Sequence, residues 1–241
     1  MARLKTAILI SGRGSNMQAL VDAAADPDYP AEIVRVVANV PGAGGLDRAA
    51  AAGIATTVID HRNFDGRAAF EDALHAELTE AGVEMICLAG FMRLLTAAFV
   101  ERWLDRMINI HPSLLPSFKG LQTHERVLAE GVRFTGCTVH FVRPAMDAGP
   151  IIVQAAVPVL PGDDADSLSA TCRFTRTKIR AISLPCVSQF FEYLRSNSQM
   201  ALDMEKEIAR HQKGWADFAK WSFVSTVVVI AIVGIMGLTL V

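Results

Sequence analysis

The chain predicts an α/β fold with a mostly parallel, Rossmann-like sheet, and three observations carry that expectation. Short apolar runs alternate with stretches whose apolar residues recur at helical spacing, the rhythm of a parallel sheet. The first run passes straight into a glycine-rich loop, Ser11-Gly12-Arg13-Gly14-Ser15-Asn16, and then into a helical pattern. A later run, Met107 to Phe118, begins apolar and ends in a loop that Pro112 and Pro116 keep from becoming helix. Polar residues at its end therefore fall at the open edge of the sheet, where such folds bind ligands.

Thr6 to Ile10 is the first strand, and Met17, Leu20, Val21 and Ala24 mark the first helix. Between them the backbone N–H groups of the loop and first helical turn carry positive partial charge, and glycines let an anion approach with no Cβ in the way. Met17 stands where a dinucleotide loop has its third glycine, and Asn39 stands where that fold has a ribose-gripping acid. No Gly-Lys-Ser/Thr follows, so a monophosphate suits the loop better than NAD or ATP.

Ile33 to Ala38 and Thr56 to Ile59 are the second and third strands, separated by a helix over Leu46 to Ala52 that Gly53 closes. Arg67 opens the next helix, on which Phe70, Ala73, Leu74 and Leu78 form the inward stripe and leave Glu71 and His75 to face water. Met85 to Leu88 is a fourth strand, turned by Ala89-Gly90-Phe91 into Met92, Arg93, Leu94 and Leu95 at the edge shared with Asn109. Thr96 to Trp103 is helical.

Within Met107 to Phe118, period-two alternation points Asn109 and His111 one way and Ile108 and Ile110 the other, setting an amide donor beside a titratable imidazole. His124 is a surface group at a helix start or a ligand to substrate. The runs Gly136 to Val142 and Ile151 to Val159 flank a loop too long for a tight hairpin, able to carry Asp147 over the sheet edge. His140, inside the first of them, reads as structural.

At 241 residues the chain holds one large domain, or one domain and an appendage. A formal charge of −2 from balanced acids and bases offers no basic field for nucleic acid, so an anionic ligand needs a local site. Cys87, Cys137, Cys172 and Cys186 lack paired spacing, which fits reduced thiols rather than disulfides or zinc. The apolar run before Gly12 is too short for a secretory signal, so residues 1–170 are expected in the cytoplasm.

Four motifs stand in order: Ser11 to Asn16, Leu88-Ala89-Gly90-Phe91-Met92-Arg93-Leu94-Leu95, Asn109-Ile110-His111-Pro112-Ser113-Leu114-Leu115-Pro116, and Met146-Asp147-Ala148-Gly149-Pro150. Over residues 4–170 the chain resembles the phosphoribosylglycinamide formyltransferases of purine synthesis. The resemblance implies the formyltransferase type of Rossmann-like sheet, with 10-formyltetrahydrofolate as co-substrate and glycinamide ribonucleotide as acceptor. It implies that Gly14, Ser15 and Asn16 hold the substrate phosphate. Arg67, Met92, Arg93, Leu94, Leu95 and Asn109 then line the folate pocket, and Asn109, His111 and Asp147 are catalytic. Asn109 and a protonated His111 would donate to the oxyanion that develops on the formyl oxygen, with Asp147 favouring the charged imidazole and relaying protons. No metal is required. Methionyl-tRNA formyltransferase would bring a basic tRNA-binding domain, and formyltetrahydrofolate hydrolase an N-terminal regulatory domain; both stand behind the purine reading.

Beyond residue 170 the pattern changes. A helix starting at Asp164 runs into Arg173, Arg176, Lys178 and Arg180, which interrupt a core-covering stripe, and Pro185 ends or kinks it. The family's last helix carries a glutamate near the substrate amine with no match here. The expected organisation is a catalytic domain over 1–170, an atypical, irregularly helical junction over 171–200 and an amphipathic segment over 201–241. That last segment ends in one transmembrane helix at about 222–241, where twenty residues carry no charge and suffice to cross a core of roughly 30 Å. Trp215 and Trp221 fit an interfacial belt, and Arg210, Lys213 and Lys220 hold the preceding chain inside, which anchors a cytoplasmic domain in the inner membrane. The tail faintly resembles subunit IV of bacterial aa3-type cytochrome oxidases. A catalytically inactive fusion whose working part is a membrane-complex helix is the reading from another class.

Overall fold

The computed structural model describes residues 3–172, which lie in the first of the two units into which the chain divides, Met1–Gln189. The strands are β1 Leu4–Ile10, β2 Ala31–Ala38, β3 Thr56–Val58, β4 Met85–Leu88, β5 Met107–His111, β6 Phe134–Phe141 and β7 Ile151–Pro158. They form one sheet in the order β3-β2-β1-β4-β5-β6-β7. Pairing is parallel from β3 through β5 and antiparallel for β6 and β7. Helices accompany them: α1 Ser15–Ala24, α2 Gly44–Ala51, α3 Arg67–Glu80, α4 Ala97–Arg102 and α5 Thr123–Ala129, with a further helical stretch at residues 165–172.

The order has a functional consequence. The chain winds outward from β1 through β2 to β3, then returns to lay β4 against the other side of β1. The loops that leave β1 and β4 therefore diverge, and a crevice opens between them at the carboxyl ends of the strands.

Alternation along β1 sends Ala7 and Leu9 into the cluster that holds Phe70, Leu74, Leu78, Phe99 and Trp103 of the α3–α4 layer. Ile8 and Ile10 point to the opposite face and are equally buried, as are Met17 and Leu20 of α1. Asp164 caps the helical residues 165–172, taking the N–H of Ser167 at 2.8 Å. Leu168 and Cys172 of that helix pack on Val127 and Val157.

Two expectations for α3 fail. Glu71 does not face water: it is 4% exposed. It shares a helix face with Leu74 and Leu78, and its carboxylate accepts the Thr96 N–H at 2.8 Å and the Thr96 hydroxyl. A buried carboxylate is tolerable because both of its oxygens are bonded. His75 is half-buried, its ring edge-on to Trp103 at 5.8 Å. The junction and tail expectations, including the span at 222–241, lie outside the described residues.

Candidate active site

Gly14 caps α1 in the left-handed conformation, φ 71°, with no side-chain cap, and the first turn of a helix carries the positive end of its dipole. The turn is built on close backbone contact. A Cβ on Gly14 would stand 2.6 Å from the Gly45 Cα. Gly45, at the start of α2, donates its N–H to the Gly12 carbonyl at 3.1 Å, so Gly44-Gly45 completes a cradle that the motif at Ser11 to Asn16 only begins. Met17, in place of a third glycine, is fully buried. Ser15 is exposed and Asn16 half-buried at the mouth.

Across the switch point, Gly90 (φ 81°) turns the chain out of β4. Met92 and Leu94 are 70% and 62% exposed, two apolar side chains at the edge of the crevice, with Arg93 and Leu95 half-buried between and beside them. Exposed apolar side chains of this size are able to pack against the apolar surface of a ligand. Arg67, the exposed first residue of α3, lies at the same sheet edge because it follows the carboxyl end of β3. Nothing in the described structure ties its side chain to the other site residues.

The chemical groups gather where β5 meets β6. The antiparallel register sets Asn109 opposite His140 and His111 opposite Thr138, and the pairing of β6 with β7 slips between Val139 and His140. Asp147 arrives from the loop between β6 and β7 with φ 50°, a conformation aspartate tolerates better than most residues. Gly149 lets that loop fold back, since a Cβ there would stand 1.7 Å from the Phe141 carbonyl oxygen.

Asp147 is the hub. Its Oδ2 accepts the Gly120 N–H at 2.8 Å and lies 3.3 Å from His111 Nδ1. Its Oδ1 is 3.7 Å from His140 Nε2. The other nitrogen of His111, Nε2, donates to the Phe118 carbonyl at 2.8 Å. Carbonyl and carboxylate oxygens only accept, so each ring nitrogen of His111 faces an acceptor.

His140 is arranged oppositely. Its Nδ1 donates to its neighbour's carbonyl, Phe141, at 2.9 Å, which leaves Nε2 to accept from the Asn109 amide at 3.4 Å. Burial pushes His140 below its ordinary value, while the bond to Phe141 and the Asp147 charge pull the other way. One carboxylate thus stands between two histidines, and on His140 burial disfavours the charged ring. Asn109 gives one amide proton to His140 and keeps a second for a ligand.

The cluster can place an amide donor and an imidazolium beside developing negative charge, with a carboxylate to move protons. Asn109, His111 and Asp147 come together as expected from the sequence. His124 lies in the first turn of α5 and is half-buried. His140 was missed as a member of the site: in sequence it is one polar residue in an apolar strand, and only the β5–β6 register puts it beside Asn109. Gly44-Gly45 did carry a signal, a glycine pair just after the second strand.

A family model described as formyl transferase matches residues 4–182, past the residue 170 at which the sequence pattern changes. Phosphoribosylglycinamide formyltransferase of Escherichia coli (strain K12) is 44% identical over 163 residues, covering 68% of this chain and 77% of that protein. The trifunctional purine biosynthetic protein adenosine-3 of Bos taurus is 48% identical over 198 residues, covering 82% of this chain. The chain spans only 20% of that relative's length. The crystal structure of phosphoribosylglycinamide formyltransferase from Brucella melitensis superposes with a TM-score of 0.73 at 49% identity, covering 76% of this chain and 94% of that one.

Proposed function

The chain belongs to the formyl transferase family, and from that premise we propose that it transfers the formyl group of 10-formyltetrahydrofolate to the amine of N1-(5-phospho-D-ribosyl)glycinamide in purine (IMP) synthesis. The observation that carries this reading is the meeting, at one sheet edge, of a glycine cradle with the Asn109, His111 and Asp147 cluster. Phosphate on Gly14, Ser15 and Asn16 directs the amine toward β5. The folate lies along Arg67 and Met92 to Leu95, its formyl group at Asn109.

The nucleophile is the substrate's own amine, so the protein's task is electrostatic. As the amine adds to the formyl carbon, negative charge grows on the formyl oxygen, and Asn109 and His111 donate to it. Asn109 has a proton ready; His111 reaches the oxygen by giving up the Phe118 carbonyl at 2.8 Å. Asp147 keeps the imidazole charged, accepts a proton from the attacking amine through water and returns it to the departing folate nitrogen.

Purified full-length chain, given both substrates, is expected to form N-formylglycinamide ribonucleotide in step with tetrahydrofolate release. Folate deformylation without transfer to that amine would overturn the reading.

The membrane part of the proposal rests on the sequence. Among the described residues no helix is long and apolar enough to cross a membrane. Residues 222–241 carry twenty uncharged positions behind Arg210, Lys213 and Lys220, and we assign them to a span that leaves residues 1–220 in the cytoplasm. The activity should then sediment with membranes; recovery in the supernatant after ultracentrifugation would remove the anchor. The likeness of the tail to oxidase subunit IV likewise stands on sequence.

A further inference from the structure

We infer that Ser11 is a positioning residue that couples the two substrate subsites, so that the phosphate-bearing substrate and the folate bind interdependently through one hydroxyl. The inference rests on the proposed pair of substrates. It starts from the switch point: the loops leaving β1 and β4 diverge there, and nothing in the topology by itself holds one at a set distance from the other.

Ser11 spans the gap. It is the last residue before Gly12, where β1 passes into the phosphate cradle, and its N–H donates to the Gly90 carbonyl at 3.2 Å. Its Oγ accepts the N–H of Met92, the first residue of the folate loop, at 2.8 Å. The same Oγ donates to Asn39 Oδ1 at 2.6 Å. A hydroxyl has one proton, and Asn39 takes it, so a lone pair is left aimed at Met92.

Asn39 is itself held. It is 2% exposed, its N–H bonds to the Ile10 carbonyl at 3.3 Å, and its carbonyl accepts from His61 Nδ1 at 2.8 Å. In a dinucleotide fold this position carries the acid that grips a ribose. Here its amide turns inward and fixes the Ser11 rotamer.

The far end of the folate loop is pinned separately, by Glu71 on Thr96. That contact touches no part of the phosphate cradle. The loop thus has one anchor shared with the other subsite and one that is not. Ordering of the cradle by phosphate fixes the first anchor and lowers the cost of ordering Met92 to Leu95, which is positive coupling without a new contact between ligands.

The test is calorimetric and needs no turnover. A non-reactive folate analogue is titrated into the full chain with and without saturating glycinamide ribonucleotide, and the ratio of the two dissociation constants is the coupling. Typical couplings are about 5- to 150-fold, so wild type is expected to show at least ~5-fold. Ser11→Ala should fall below about 2-fold while still binding each ligand alone, and Ser11→Thr, which keeps the hydroxyl, should restore the ratio. Glu71→Gln should weaken the analogue with and without the nucleotide and leave the ratio at the wild-type value. A wild-type ratio near one, an unchanged ratio in Ser11→Ala, or an equal loss in Glu71→Gln would each overturn the inference. Unfolding temperatures of every variant separate loss of fold from loss of coupling. Failure of wild type to bind either ligand would sink the function on which the inference rests; normal binding of both without interdependence would sink the inference alone.

Discussion

The two ends of the site are built from different materials. At the β1–α1 end the fold presents backbone, and the side chains that matter are the ones missing: a Cβ on Gly14 meets the Gly45 Cα at 2.6 Å. At the β5–β6 end the groups are side chains, and Asp147, His111, His140 and Asn109 are linked by contacts of 3.3 to 3.7 Å. A backbone site is broken by adding atoms. A side-chain site is broken by removing a charge, even where shape is kept.

Asp147→Asn should sharpen the contrast most. It preserves volume and still offers an oxygen to the Gly120 N–H, yet it removes the charge that His111 faces at 3.3 Å. Turnover should fall by ~10²–10⁴-fold with the unfolding midpoint little changed. Near-normal kcat across pH would end the role assigned to Asp147.

Gly14→Ala should fail in the opposite way. The added methyl meets backbone, and φ 71° strains any side chain there, so a stability loss on the order of 1–3 kcal/mol is expected. KM for the nucleotide should rise more than KM for the folate. An equal rise in both would mean that the cradle does not hold the phosphate.

Between these ends, Glu71→Gln tests a buried carboxylate outside the chemistry. Losing one charge-assisted bond to Thr96 should cost roughly 1–3 kcal/mol in denaturant unfolding. A kcat loss as large as that of Asp147→Asn would place Glu71 in the reaction.

The smallest effect concerns pH. Burial lowers His140 from its ordinary 6.5, so below about pH 6.5 the unfolded chain takes up a proton that the folded chain refuses. The stability this group contributes is present above its unfolded value and is lost as pH falls below it. His140→Gln should therefore lose less stability than wild type between about pH 7.5 and about pH 5.5, read as urea midpoints. Parallel losses would show that His140 is not held neutral by the fold.

How much of this could be read from the chain divides along the same line. Met107 to His111 proclaims itself by an apolar run and two prolines, and alternation alone puts Asn109 and His111 on one face. The glycines of Ser11 to Asn16 announce a backbone cradle because their spacing expresses a local constraint on φ and on Cβ. Boundaries of strands and helices came out within a few residues for the same reason, since period and turn chemistry are local. Glu71 was misread because a helical stripe of Phe70, Leu74 and Leu78 says which face is inward, not that two donors of Thr96, the residue that caps α4, wait for a carboxylate there.

By itself, then, the sequence determined the parallel β-α alternation, the glycine loop between β1 and α1, and the residue types able to stabilise an oxyanion, because each depends on neighbours in the chain. Only the tertiary structure decided that β4 returns beside β1, that Asn109 faces His140, that Asp147 sits between His111 and His140, and that Ser11 joins the loops leaving β1 and β4. Those facts depend on strand order and register, which are set by packing between residues 28 to 81 positions apart, and no local pattern encodes a partner at that distance.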